Sequence, residues 1–140
     1  MSTVLWANRL IDGVVTSDHS DKYAMHKHLS KIDEIAGGAG LMALSEICDT
    51  TDLRFNIEDL SLPEGMASTN EWMAAQGVWV DAEIAASQLA ALIDAIETRK
   101  PRFGLIRNDY EAILAELRES LAFAREAAAH AAKFNFSIVM

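Results

Sequence analysis

Two stretches in the C-terminal half repeat apolar side chains at alternating steps of four and three. This repeat constrains the fold more than any other feature. In the first stretch, Ala85, Leu89, Leu92 and Ile96 follow Asp81, whose carboxylate suits a helix start, and Pro101 closes the run. In the second, Asn108 and Glu111 make a capping-box-like opening. Tyr110, Leu114, Leu117, Leu121, Ala124, Ala128 and Ala131 then keep the alternation. Each stretch predicts a helix with a narrow apolar seam, and two such seams joined by a short connection predict an antiparallel helical hairpin. The alanines late in the second helix leave room for close approach of another element. His130 and Lys133 are expected in its last turn, where positive charge complements free carbonyls.

The two ends of the chain read as strand. Thr3 to Ile11 is rich in Val, Leu, Trp and Ile, Asp12-Gly13 follows, and Val14 to Thr16 resumes the apolar run. Asp-Gly between apolar runs predicts a tight hairpin. At the other end Phe134, Phe136, Ile138 and Met140 alternate with Asn135, Ser137 and Val139. So apolar a strand must pair, with the N-terminal hairpin or with another chain. The fold class that follows is α+β with helix in the majority: a long antiparallel helical hairpin packed with a small antiparallel sheet. That sheet is built from the N-terminal hairpin and the C-terminal strand.

Between these parts, Ser17 to Ser20 offers caps for a helix burying Met25, Leu29, Ile32 and Ala36, stopped by GGAG at 37–40. Leu41 to Cys48 reads as a short helical segment. Leu53, Phe55 and Ile57 alternate with Arg54 and Asn56, a short strand pattern. Ser68 with Glu71 predicts a helix over 69–76 that ends at Gly77. No Pro-rich or Ser/Gly-rich linker interrupts the run, so residues 1–140 are expected to form one domain.

The formal charge of −9 opposes contact with phosphate backbones, so no nucleic acid is expected as a partner. A basic protein would be attracted instead. No stretch approaches the ~20 apolar residues that span a bilayer, and the N-terminus lacks the pattern of a signal peptide. The expectation is a cytoplasmic protein without a membrane partner. A lone cysteine, Cys48, excludes an internal disulfide.

Cys48 stands in EICDTTD at 46–52, among Glu46, Asp49 and Asp52. Negative neighbours raise a thiol pKa, and no second cysteine supplies a metal-ligand pair. The residue is expected to be structural, and the Asp-Thr-Thr-Asp run to turn the chain by side-chain-to-backbone hydrogen bonds. His26 and His28 diverge by about 200° on a helix, and His19, His26 and Asp33 fall in a line rather than a cluster. Neither arrangement predicts a metal site, and no catalytic or cofactor motif is present, so no cofactor is expected. Trp72 and Trp79 bracket Gly77, with Met73 between them and Met66 nearby. Trp and Met are enriched at the cores of interfaces. The candidate binding residues are therefore Trp72, Met73, Trp79, Asp49 and Asp52.

Two functions fit these features. One is a small acidic protein-binding module acting by occlusion or assembly, with a protein partner of basic character. Small acidic proteins that neutralise bacterial toxins are an analogue in type only. The other is a ligand-binding domain or enzyme with a pocket near Trp72, Trp79 and the 48–52 loop. The apolar terminal strand and the alanine-rich half-helix further predict a homodimer.

Overall fold

The computed structural model of the chain describes residues 2–58 and 61–140. Strands β1 (Val4–Ile11) and β2 (Val14–Ser17) form the N-terminal hairpin, turned at Asp12 and Gly13. The C-terminal strand β5 (Lys133–Val139) runs antiparallel to β1, with Leu5 opposite Ile138, Ala7 opposite Phe136 and Arg9 opposite Phe134. On its other edge β5 meets two short strands. β3 (Cys48–Asp49) is parallel to it, and β4 (Val80–Asp81) is antiparallel. β5 is thus the centre of the sheet. The terminal strand that predicts a dimer has both of its edges paired within its own chain.

Helix outweighs strand. Helices α1 (Tyr23–Lys27) and α2 (Leu29–Gly38) follow the hairpin. Helices α3 (Thr51–Glu58) and α4 (Thr69–Gln76) are short. Helices α5 (Ala82–Arg99) and α6 (Tyr110–Ala129) form the long antiparallel hairpin. Ala85, Leu89, Leu92 and Ile96 are buried on α5, as their spacing requires. On α6 the buried stripe is wider than the seam read from sequence, taking in Ile113, Ser120 and Ala127 beside Leu114, Leu117, Leu121 and Ala124. The helix packs against α5, α1 and the sheet at once, so more than one narrow face is covered. It ends at Ala129, and Ala131 lies beyond it at a φ of 52°. His130 is the residue after the last turn and Lys133 opens β5, where it pairs with Asp81. Neither sits in the last turn, where the sequence reading put them. Asp81 is spent on that ion pair and makes no side-chain cap on α5.

Four other local expectations change. Ser17 to Ser20 does not cap a helix. The Asp18 carboxylate instead accepts from the Ala7 amide (3.2 Å) and the Ser20 amide (3.1 Å) and pairs with the buried Lys22 ammonium. A lysine so deeply buried needs such a partner. Helix α1, left without a local cap, takes one from α6: Glu116 accepts from the amides of Met25 (2.8 Å) and Ala24 (3.2 Å). Burial pushes the Glu116 carboxyl above its ordinary pKa, opposed by these same bonds.

Leu53, Phe55 and Ile57 form no strand; they belong to α3. Only Thr51 of that helix is buried and Ile57 is exposed, so their alternation did not record a buried face. Three alternating residues cannot separate helix from strand without a neighbouring strand to pair with. Before α4, Glu71 reaches back to the Ala67 amide (2.8 Å), one residue earlier than a capping box requires, and Ser68 makes no side-chain cap. Within 41–48, Leu44–Ile47 forms one 3₁₀ turn, and the chain then enters β3.

Strand alternation sorts the sheet into two unlike faces. Leu5, Ala7, Cys48, Phe134 and Phe136 join the apolar core with α1, α2, α5 and α6. Asn8, Asp49, Asn135 and Ser137 point the other way, and all four are buried. That polar face is covered by the thin α3–α4 layer. Among the described residues, no helix is long and apolar enough to cross a membrane.

Candidate interaction surface

The residues singled out by sequence come together in the α3–α4 layer, and their polar groups are occupied. Asp49 is only 3% exposed. Its Oδ1 accepts from the Thr51 amide (2.9 Å) and its Oδ2 from the Val78 amide (2.9 Å). The first bond turns the chain into α3, as expected of the Asp-Thr-Thr-Asp run. The second clasps the loop after α4 onto the sheet. Asn135 holds the same loop from β5 by donating to the Val78 carbonyl (2.8 Å), and itself accepts from Asn8 (3.0 Å). A side chain at Gly77 would fall 2.4 Å from the Met73 carbonyl oxygen and 2.7 Å from Asp49 Oδ2, so only glycine fits there.

Met73 is buried, and its carbonyl accepts from the Trp79 indole (2.8 Å). Asp52 accepts from the Thr69 hydroxyl and ties α3 to α4, while Trp72 packs edge-on against Phe55 at 6.2 Å between centroids. These five residues lock a covering layer in place.

Cys48 donates to the Leu44 carbonyl (3.4 Å). Burial, with Asp33 and Asp49 nearby, pushes its thiol up to about 12. His28 bonds Asp109 at 2.8 Å, and His19 lies edge-on to Trp6. Neither meets Asp49 or Asp52. Among the described residues, no group of three or more His, Cys, Asp and Glu side chains is placed to hold a metal ion.

The feature that sequence reading passed over is the connection between α5 and α6. Leu105 is 97% exposed and Ile106 is 100% exposed. Scattered surface aliphatics are ordinary; these two are adjacent and are the most exposed large apolar side chains among the described residues. Nor do they sit on a slack loop. Phe103 anchors the start in the core and packs against His28. The Asp109 amide donates back to the Phe103 carbonyl (2.8 Å), and Asn108 Oδ1 accepts from the amides of Phe103 (2.9 Å) and Tyr110 (3.2 Å). Arg102 donates to the carbonyls of Gly104 (2.8 Å) and Leu105 (3.1 Å). Gly104 has a φ of 109°, and a side chain there would lie 2.3 Å from the Arg107 carbonyl oxygen. The loop is closed on itself, with two aliphatic side chains held outward.

Asp109 fixes this loop to α1 and to the start of α2. Its carboxylate bonds His28 and lies 3.5 Å from Lys27 and 3.4 Å from Arg107. The His28 hydrogen bond, aided by Lys27, holds its pKa below the ordinary carboxylate value against the effect of burial. Arg99, Lys100, Arg102 and Arg107 give residues 99–108 a charge of +4 with no acidic side chain. With −9 for the whole chain, the remainder carries −13 (−9 minus +4). Lys27 and Lys31 extend the positive region along α1 and α2. A concavity of about 420 Å³ lies beside it, lined by Lys31, Glu34, Ile35, Gly38, Arg99 and Pro101. RFGLIR marks the segment in the sequence, as a Leu-Ile pair outside either helical seam with arginine on both sides, but does not say that the pair is exposed.

No protein-family model, no curated protein and no solved structure matches this chain.

Proposed function

We propose that this protein is a protein-binding module that acts by occlusion or assembly and docks through the α5–α6 loop. The observation that carries the reading is the full exposure of Leu105 and Ile106 on a loop braced from both ends. Burying an aliphatic side chain of this size is worth ~1.5–3 kcal/mol, so the pair offers ~3–6 kcal/mol to a partner that covers both. Because the loop is already closed by its own hydrogen bonds, little of that is lost to ordering on association. A partner that covers both would gain this burial while polar contacts around them keep water out.

The competing ligand-pocket reading needs free polar groups near Trp72 and Trp79. Both Asp49 oxygens are instead taken by backbone amides, and the Trp79 indole by Met73. The test is recovery of partners on the tagged protein from its own cells, wild type against Leu105→Ser/Ile106→Ser, with circular dichroism to show that both fold. A partner present with the wild type and lost with the variant is the expected result. Identical recovery from both refutes docking through this loop.

A further inference from the structure

Resting on that reading, we infer that the surface received by the α5–α6 loop is an acidic protein surface containing an apolar cavity. The overall charge of −9 points toward a basic partner, but overall charge does not describe the face that meets the partner. The exposed tip is flanked by Arg102 and Arg107, with Lys100 and Arg99 behind it and Lys27 and Lys31 on the adjoining helices. Arg107 is 84% exposed on its side chain. Of the acidic groups nearby, Asp109 is buried against His28, Lys27 and Arg107 and presents little charge outward, while the exposed Glu34 and Glu111 are outnumbered by the cations around the tip. A convex apolar tip inside a positive collar is complemented by a cavity inside a negative rim.

The same charges separate a protein from an extended polyanion. Screening limits each charge to ~8 Å at physiological salt, so a bounded acidic patch meets only the positive end. An anionic bilayer or a nucleic acid extends past that end and faces the −13 carried by the rest of the chain. The concavity between α2 and the end of α5 carries two cations, Lys31 and Arg99, against one carboxylate, Glu34, and so keeps a net positive lining beside the loop.

The test places an aliphatic diazirine amino acid, which keeps the apolar anchor, at Ile106 in the protein within its own cells, and identifies adducts by mass spectrometry. The adduct yield is then compared for Lys100→Glu/Arg107→Glu and for Arg125→Glu, which reverses an exposed charge on α6. Arg102 is left intact because it braces the loop. The expected result is a discrete protein adduct whose crosslinked surface is rich in Asp and Glu. Its yield should fall about tenfold or more with the paired reversal and stay level with Arg125→Glu. With purified components it should also fall as salt is raised. A protein adduct indifferent to the paired reversal, or one on a basic surface, overturns the acidic partner and leaves docking through the loop standing. Phospholipid as the sole adduct overturns it in favour of a membrane. Absence of any adduct from a folded protein overturns the docking reading itself.

Discussion

Removal of the Asp49 carboxylate should loosen the α3–α4 layer and cost much of the molecule's margin of stability. Each hydrogen bond to a charged group contributes ~1.5–3 kcal/mol, and an amide left buried without an acceptor costs ~1–3 kcal/mol. Asp49→Ala strands two amides. That of Thr51 is buried, and that of Val78 is only partly so, which lets water offset some of the loss. The expected cost is therefore ~2–4 kcal/mol. Asp49→Asn keeps one acceptor but turns an amide nitrogen toward a donor, for ~1.5–3 kcal/mol. Urea unfolding followed by circular dichroism measures both, with hydrogen exchange at Thr51 and Val78 locating the change. Because Asn135 holds the same loop through the Val78 carbonyl, Asp49→Ala and Asn135→Ala should be non-additive by ~0.5–3 kcal/mol. A loss under ~0.5 kcal/mol for Asp49→Ala would show that the carboxylate is free for other chemistry, and the clasp would be wrong.

Leu117, fully buried on α6, should cost ~2–5 kcal/mol on truncation to alanine in the same unfolding assay; no change would place the α6 stripe in solvent. Cys48, with its thiol pushed up to about 12, should react with iodoacetamide in the native state far more slowly than a free thiol at neutral pH. Faster reaction would contradict its burial. Asp109 has a folded-state pKa below its unfolded value, so its contribution to stability is present above about pH 4 and disappears as pH falls through the folded value. The stability gap between wild type and Asp109→Asn should therefore be wide at pH 7 and begin to narrow as pH falls below about 4. A gap independent of pH would remove Asp109 from the bracing of the loop.

The sequence alone determined the parts whose signal is long and local. The four-three spacing of α5 and α6 survives because each helix supplies its own backbone hydrogen bonds and needs its partner only to cover a stripe. The N-terminal hairpin and the C-terminal strand are written in the Asp-Gly turn and in the alternation of Phe134 and Phe136, and the turn at Asp49 in the Asp-Thr-Thr-Asp run. Tertiary structure decided whatever depends on a distant partner. The cap on α1 comes from Glu116, roughly ninety residues away, so no local pattern announces it. Leu53, Phe55 and Ile57 lie in a helix that Asp49 opens through the Thr51 amide and that packs across β5 instead of pairing with a strand. Asp49, Asp52, Trp72, Met73 and Trp79 share one layer, but whether their polar atoms face a ligand or each other depends on the register of β3 against β5. The exposure of Leu105 and Ile106 was hidden for the opposite reason. Apolar residues in sequence are presumed to go inside, and only the closure of the loop between Phe103 and Asp109 shows that these two have nowhere inside to go.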